Sequence, residues 1–208
     1  MNNQCRPLFD ALKHEVTDLH LRWVIYRQLY ATSETAIDLL NRSGSNVFYL
    51  LQFLLLDDCA LRLSKLTDPP SQGRFENLSV RKLIDTLGES DENLLKGELK
   101  SLVEELNARC KKFRALRNKR IAHADLDHAL QIAADPLPGI SREDVERALE
   151  SLRNTMNKIE YHYFQSQTLY AEVIIPYDSD GNKLLKILGA GHEKLLSSNN
   201  RLQRSGEG

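Results

Sequence analysis

The sequence predicts an all-α protein. Three observations carry that prediction. Apolar residues recur at three- and four-residue steps through several long stretches. Aromatic content is low (7%) and the chain has only six prolines, a composition that suits helices better than a β-sandwich. One run, residues 47–56, is apolar at every position except Gln52. With 208 residues the chain is read as one helical domain over 1–196, large enough to bury a core without staples, followed by a disordered tail at 197–208.

The first helix is expected from residue 5 or 6 to 29, where Leu8, Leu12, Val16, Leu19, Trp23, Tyr26 and Tyr30 form one stripe. Trp23 lies on that stripe and is read as core rather than as a platform for a base. Ser33, Ala36, Ile37 and Leu40 mark a short second helix that stops at the Asn-Arg-Ser-Gly-Ser turn of 41–45. The third, 46–67, is apolar nearly all round at its start, so it is expected at the centre of the bundle or in a subunit interface. Its apolar run is too short, and too soon followed by Asp57 and Asp58, to span a membrane. Those two acids are read as a solvated edge or partners for arginine, ahead of metal ligands. Pro69 and Pro70 end the helix.

Residues 71–78 are a polar loop, after which Ser79 caps a short helix that stops at Gly88. An acidic connector, 89–92, leads to a helix over 94–123, about eight turns at 3.6 residues each. Loop then runs to Gly139. Ser141 and Asp144 resemble a capping box for a last long helix with Val145, Leu149, Leu152, Met156, Ile159 and Tyr163 on its stripe. Residues 169–177 are strand-like, either pairing or packing extended. Residues 178–182 form a turn, and 183–188 suggest a final short helix, so that the bundle ends in a short irregular extension.

Formal charge is −1, yet residues 109–125 read RCKKFRALRNKRIAHAD. Seven basic residues fall between Arg109 and Arg120 with no acid among them: Arg109, Lys111, Lys112, Arg114, Arg117, Lys119 and Arg120. Phe113 and Leu116 continue the stripe of Leu95, Leu99, Leu102 and Leu106. One face is therefore apolar and the rest carries a local positive field. Arginine offers a permanent forked donor set suited to phosphate, and histidine moves a proton near neutral pH, so Arg117 and His123 could together cleave a phosphodiester. The plainer reading is a solvated basic helix end, with cations at the negative pole of the macrodipole. His123, Asp125, Asp127 and His128 raise a metal site, but their spacing matches no defined one, and neither metal nor cofactor is expected. Cys5, Cys59 and Cys110 show no metal or disulfide pattern, which suits a reducing cytoplasm, and the N-terminal residues lack the order of a secretory signal.

Arg117-Asn118 followed by His123, within LRNKRIAHAD, resembles the signature of the HEPN superfamily: an arginine, usually a polar residue, and a histidine after four to six intervening residues. The wording and the helical order from Leu8 to Leu188 are similar to the AbiU-type branch, associated with phage abortive infection. The resemblance implies a HEPN-like helical bundle. In active members it implies a metal-independent endoribonuclease whose motifs face each other across a homodimer cleft. Transferred to these residues, Arg117, Asn118 and His123 are the catalytic set. Arg109, Lys112, Lys119 and Arg120 bind RNA phosphates, Arg120 being equally readable as a surface charge. The alternative is a catalytically silent HEPN module holding a nucleotide, RNA or partner protein; some members pair with nucleotidyltransferases as toxin or antitoxin halves.

The spacing creates one geometric conflict. On a regular helix six residues advance about 600°, so Arg117 and His123 would point about 120° apart. Either the helix distorts near Arg120, or His123 lies past its end, or a second subunit completes the site.

Overall fold

Helices make up 74% of the computed structural model, which confirms the all-α class. It describes residues 1, 4–87, 93–122, 124–133 and 136–205, with backbone alone at 93–94 and 199–205. The expected stop at Gly88, the connector 89–92 and residues 206–208 lie outside the described residues. The helices are α1 (Cys5–Tyr30), α2 (Glu34–Leu66), α3 (Val80–Thr86), α4 (Asn93–Arg109), α5 (Lys111–Leu116), α6 (Leu126–Ala129), α7 (Arg142–Phe164) and α8 (Gly181–Ser205). The chain groups into two compact units, residues 1–20 with 57–172 and residues 21–56 with 173–208.

In the first unit α4 packs on α7 and on α3. The stripes meet there as the spacing requires: Leu99 and Leu106 of α4, and Val145, Leu149, Leu152, Met156 and Ile159 of α7, are all buried. Cys59, Leu63 and Leu66 of α2 and Leu12, Val16 and Leu19 of α1 are buried too. Ser141 accepts from the Asp144 backbone at 3.1 Å while Asp144 accepts from the Ser141 backbone at 2.9 Å, the reciprocal cap that the sequence indicated. The loop after Pro70 is more ordered than expected. It holds a two-stranded hairpin, Ser71–Gln72 against Phe75–Glu76, turning at Gly73 with φ of 61°.

The strand-like residues 169–177 form no strand, because the chain leaving α7 is tied down side by side with it. Gln165 ends α7 in the left-handed conformation. Asn157 then pairs with the Thr168 backbone in both directions, at 3.0 and 3.1 Å, and the Thr168 hydroxyl donates to Glu160 at 2.8 Å. Glu160 is buried and also takes Lys13 at 2.8 Å. Tyr170 is the next residue but one and serves as a buried anchor.

In the second unit the expected turn at 41–45 becomes a kink. Gly44, with φ of 148°, breaks the helical path inside α2, a conformation that side chains disfavour. Trp23 is buried and stacks on Tyr26 at 4.8 Å, in keeping with a core role. Gly181 starts α8 with its N–H on Gln28 Oε1 at 2.9 Å, and a Cβ there would sit 2.9 Å from the Gln28 side chain. Instead of a short helix at 183–188, α8 continues to Ser205.

One expectation is corrected. The apolar start of the 46–67 helix is not central: Val47, Leu50 and Leu54 are 67%, 59% and 55% exposed, with Tyr49 and Phe53 beside them. Past this exposed run α2 is buried again at Cys59, Ala60, Leu63 and Leu66. Local hydropathy measures the wish to be covered and does not say which chain does the covering.

His20 makes stability depend on pH. It is buried, its Nδ1 donates to the Val16 carbonyl at 2.9 Å, and its Nε2 has no partner among the described residues. Burial pushes its pKa below the ordinary 6.5. Protonation therefore favours the unfolded chain, so this contribution is whole above 6.5 and shrinks as pH falls below it. Glu105 and Asp144, held below their ordinary values, act only in the lower carboxylate range. The urea midpoint should drop between about pH 7.5 and 5.5, and drop less in His20→Gln. An equal drop in both proteins would remove His20 as the cause.

Candidate functional site

The basic stretch is not one continuous helix. Cys110, at φ −85° and ψ 0°, separates α4 from α5. Burying Cys110, Phe113 and Leu116 fixes which side of α5 faces the core. After Leu116 the backbone widens into a π-turn, Arg117–Ile121, closed by the Ala122 N–H on the Arg117 carbonyl at 2.8 Å. Such turns insert a residue into the helical cycle and rotate the residues beyond it, and they concentrate at functional sites. The helix therefore distorts across Arg117–Ile121, the first of the three ways out of the angular conflict. His123 itself lies outside the described residues.

Arg117 is held on two sides. Its Nη1 donates to both oxygens of Asp68 at 2.7 Å, and its Nε donates to Asn118 Oδ1 at 3.0 Å. Both members of the ion pair are largely shielded, with side chains 20% and 15% exposed. Nη2 carries no hydrogen bond among the described residues, so that arm of the fork remains able to donate. Asn118 thus supports Arg117 rather than standing apart from it.

Next to this pair, Arg114 reaches Thr67 Oγ1 at 2.8 Å and the Asn107 carbonyl at 2.6 Å. A cavity of about 360 Å³ opens here, with Asp68, Arg81, Asn107, Arg114 and Arg117 among its walls. Burial pushes the Cys110 thiol beneath it up to about 12, which makes it an inert core group.

The positive field expected from sequence is met by carboxylates supplied from elsewhere. Arg109 pairs with Glu105 at 2.6 Å and Lys112 with Asp144 at 2.9 Å. Lys119 pairs with Asp125 at 2.8 Å, and Arg120 with Asp57. Asp58 likewise pairs with Arg62 at 3.1 Å, so Asp57 and Asp58 both partner arginines. Asp125 does more than neutralise Lys119. It caps α6 through the His128 N–H and meets His128 Nδ1 at 2.6 Å. Hydrogen bonds from Lys119 and then His128 hold its carboxyl well below the usual range.

Of the seven predicted site residues, Arg117 and Asn118 touch each other, while Arg109, Lys112, Lys119 and Arg120 each sit in a separate ion pair. The sequence reading missed Asp68, Thr67, Asn107 and Arg114. Asp68 stands between the end of α2 and Pro69, and its role depends on a residue 49 positions away. No local signal announces it.

A double-mutant cycle tests whether the pair is structural. Arg117→Ala and Asp68→Ala should show a coupling of about 1–2 kcal/mol in urea unfolding, the range for contacting charged groups. Additive single effects would mean that the contact holds nothing in place.

The family model HEPN_AbiU2 (AbiU2) matches residues 4–184, most of the chain. No curated protein and no solved structure matches it.

Proposed function

The chain belongs to the AbiU2 family of HEPN domains, and on that premise we propose that it is a metal-independent endoribonuclease of the phage-defence or toxin type, working in the cytoplasm. The single observation that supports this reading is the held Arg117: a guanidinium fixed by Asp68 and Asn118 at a π-turn, in the wall of a cavity.

The proposed step is a transesterification inside RNA. One base, with His123 as the candidate, takes the 2′-hydroxyl proton. That oxygen attacks the adjacent phosphorus, and the bond from phosphorus to the 5′-oxygen breaks. The leaving oxygen receives a proton, from His123 acting as the acid or from its counterpart. The products are a 2′,3′-cyclic phosphate and a 5′-hydroxyl. Arg117 Nη2 offers its N–H groups to the phosphoryl oxygens as charge builds on them. Asp68 acts through Arg117 and is a positioning residue, and Asn118 shares that task. Since histidine moves the proton and arginine meets the charge, no metal is needed. Arg109, Lys112, Lys119 and Arg120 are the proposed phosphate contacts, with RNA phosphates exchanging for their carboxylate partners.

We also propose a homodimer, for which the exposed face of Val47, Leu50, Phe53 and Leu54 is the natural interface. A second copy covers such a face at no cost in solubility, and closed two-fold dimers are the commonest soluble oligomers. No helix among the described residues is long and apolar enough to cross a membrane. The second reading, a silent HEPN module that holds nucleotide, RNA or a partner such as an antitoxin or nucleotidyltransferase, draws on the carboxylate at each predicted phosphate ligand.

Cleavage of RNA in EDTA should leave cyclic phosphate ends. His123→Ala should lose about 10²–10⁴-fold, the range of general acid–base catalysis, and Arg117→Ala a comparable factor. Lys112→Ala and Lys119→Ala should weaken binding and leave the cleavage step nearly intact. Activity lost in EDTA and restored by Mg²⁺ or Mn²⁺ would favour a metal at Asp125, Asp127 and His128. Tight binding with no cleavage of any RNA would favour the silent module.

Light scattering should give twice the monomer mass, and Leu50→Glu with Leu54→Glu should return the monomer. A monomer at all concentrations for the unaltered chain would contradict the shared site.

A further inference from the structure

A larger cleft, about 700 Å³, lies between α3 and α4. Arg81, Ile84 and Asp85 line it from α3, and Lys96, Lys100 and Val103 from α4. It shares Arg81 and Asn107 with the cavity beside Arg117, so the two spaces adjoin along common walls.

Its cations differ from the four predicted phosphate ligands of the basic stretch. There, four predicted phosphate ligands are each tied to a carboxylate. In the cleft, Arg81, Lys96 and Lys100 have no ion-pair partner among the described residues. Unspent cations along a groove are where a polyanion gains most, since no protein contact has to break first.

The lining also narrows the kind of anion. Lys96 and Lys100 are four residues apart on α4, about 6 Å along its axis at 1.5 Å per residue, a step that successive phosphates of an extended strand can follow. Ile84, Val103 and Pro70 give apolar surface between the charges, and Asp85 and Glu104 add acceptors. A compact polyphosphate would be repelled by those two carboxylates. A strand that alternates phosphate with base can place phosphates on the cations, ring faces on the apolar side chains and amino groups on the acids.

We infer that the α3–α4 cleft is the subsite for the single-stranded RNA that flanks the phosphate at Arg117. This rests on the ribonuclease reading, with substrate identity and strand path added to it. Arg81, on the shared wall, contacts the phosphate nearest the cut, and Lys96 and Lys100 hold those further along.

The test measures binding with a strand that cannot be cut. A fluorescent, fully 2′-O-methylated oligonucleotide of about 10 nucleotides, within the usual site size for single strands, is titrated against the full chain by anisotropy over a salt series. Removing two phosphate contacts in Lys96→Ala with Lys100→Ala should weaken binding about 10- to 30-fold near 0.1 M salt. The log–log salt slope should flatten by about 1.4. Arg81→Gln should flatten it by about half as much. Arg147→Ala, which removes a surface cation elsewhere on the same unit, should bind as the parent does. Circular dichroism checks that each variant is folded.

Unchanged affinity and slope in both cleft variants would overturn the subsite, as would failure of the parent chain to bind the strand. ATP binding as tightly as the oligonucleotide, and lost with the lysines, would overturn the RNA assignment in favour of a nucleotide site. Because the probe cannot be cleaved, the two readings separate. Lysine-dependent binding in a protein that cuts no RNA leaves the subsite standing and removes the nuclease. Cleavage together with parent-like binding by the variants does the reverse.

Discussion

The contact on which the site depends is the ion pair of Arg117 with Asp68. It joins the chain just after α2 to the π-turn that follows α5, so that two segments 49 residues apart meet in one guanidinium. Arginine suits this place because its fork can be bound on one side and remain a donor on the other. A lysine there would make a point contact and lose the second arm. Asp68 can hold the pair because Thr67 before it is buried and itself bonded, through its hydroxyl, to the Leu63 carbonyl at 3.0 Å and to Arg114 at 2.8 Å. The rigid end of α2 is thus the support, and the guanidinium is what it presents.

Charge balance explains how so basic a stretch is tolerated. Seven cations in twelve residues would repel one another on an isolated helix. The fold answers from four directions, with Asp57 and Asp68 from α2 and its end, Glu105 from α4, Asp125 from the turn after the motif, and Asp144 from the start of α7. Apart from the shielded Arg117–Asp68 pair, each is partly exposed and worth little singly, on the order of 0–1 kcal/mol at the surface. Their joint effect is to fix where positive charge is already satisfied. Arg81, Lys96 and Lys100 in the α3–α4 cleft also have no ion-pair partner among the described residues, and they lie away from the residues that the bare sequence makes conspicuous.

Much of the fold was legible because it rests on periodicity. The stripes of α1, α4 and α7 are buried where their spacing puts them, the Ser141–Asp144 cap forms, and the turn at 41–45 marks the kink at Gly44. The failures have a common cause, which is that they depend on tertiary contacts rather than on local pattern. The run 47–56 is apolar enough for a core but is left exposed, since hydropathy carries no address. Residues 169–177 have strand-like composition, yet Thr168 and Tyr170 are captured by α7 and the rest of unit one before any ladder can form. At the site, the motif residues Arg117 and Asn118 were visible as a pattern. Asp68 was not, because an aspartate before a proline looks like a helix end whether or not an arginine waits for it.

The central claim is that the guanidinium held by Asp68 serves attack by a 2′-hydroxyl on the neighbouring phosphate. The most direct measurement maps the preferred cleavage position in an RNA and then replaces the single nucleotide on its 5′ side by the 2′-deoxy form. The account predicts that cutting at that bond disappears while cutting elsewhere in the same strand continues. Undiminished cutting at the 2′-deoxy position would contradict it, since no nucleophile within the substrate would then be available.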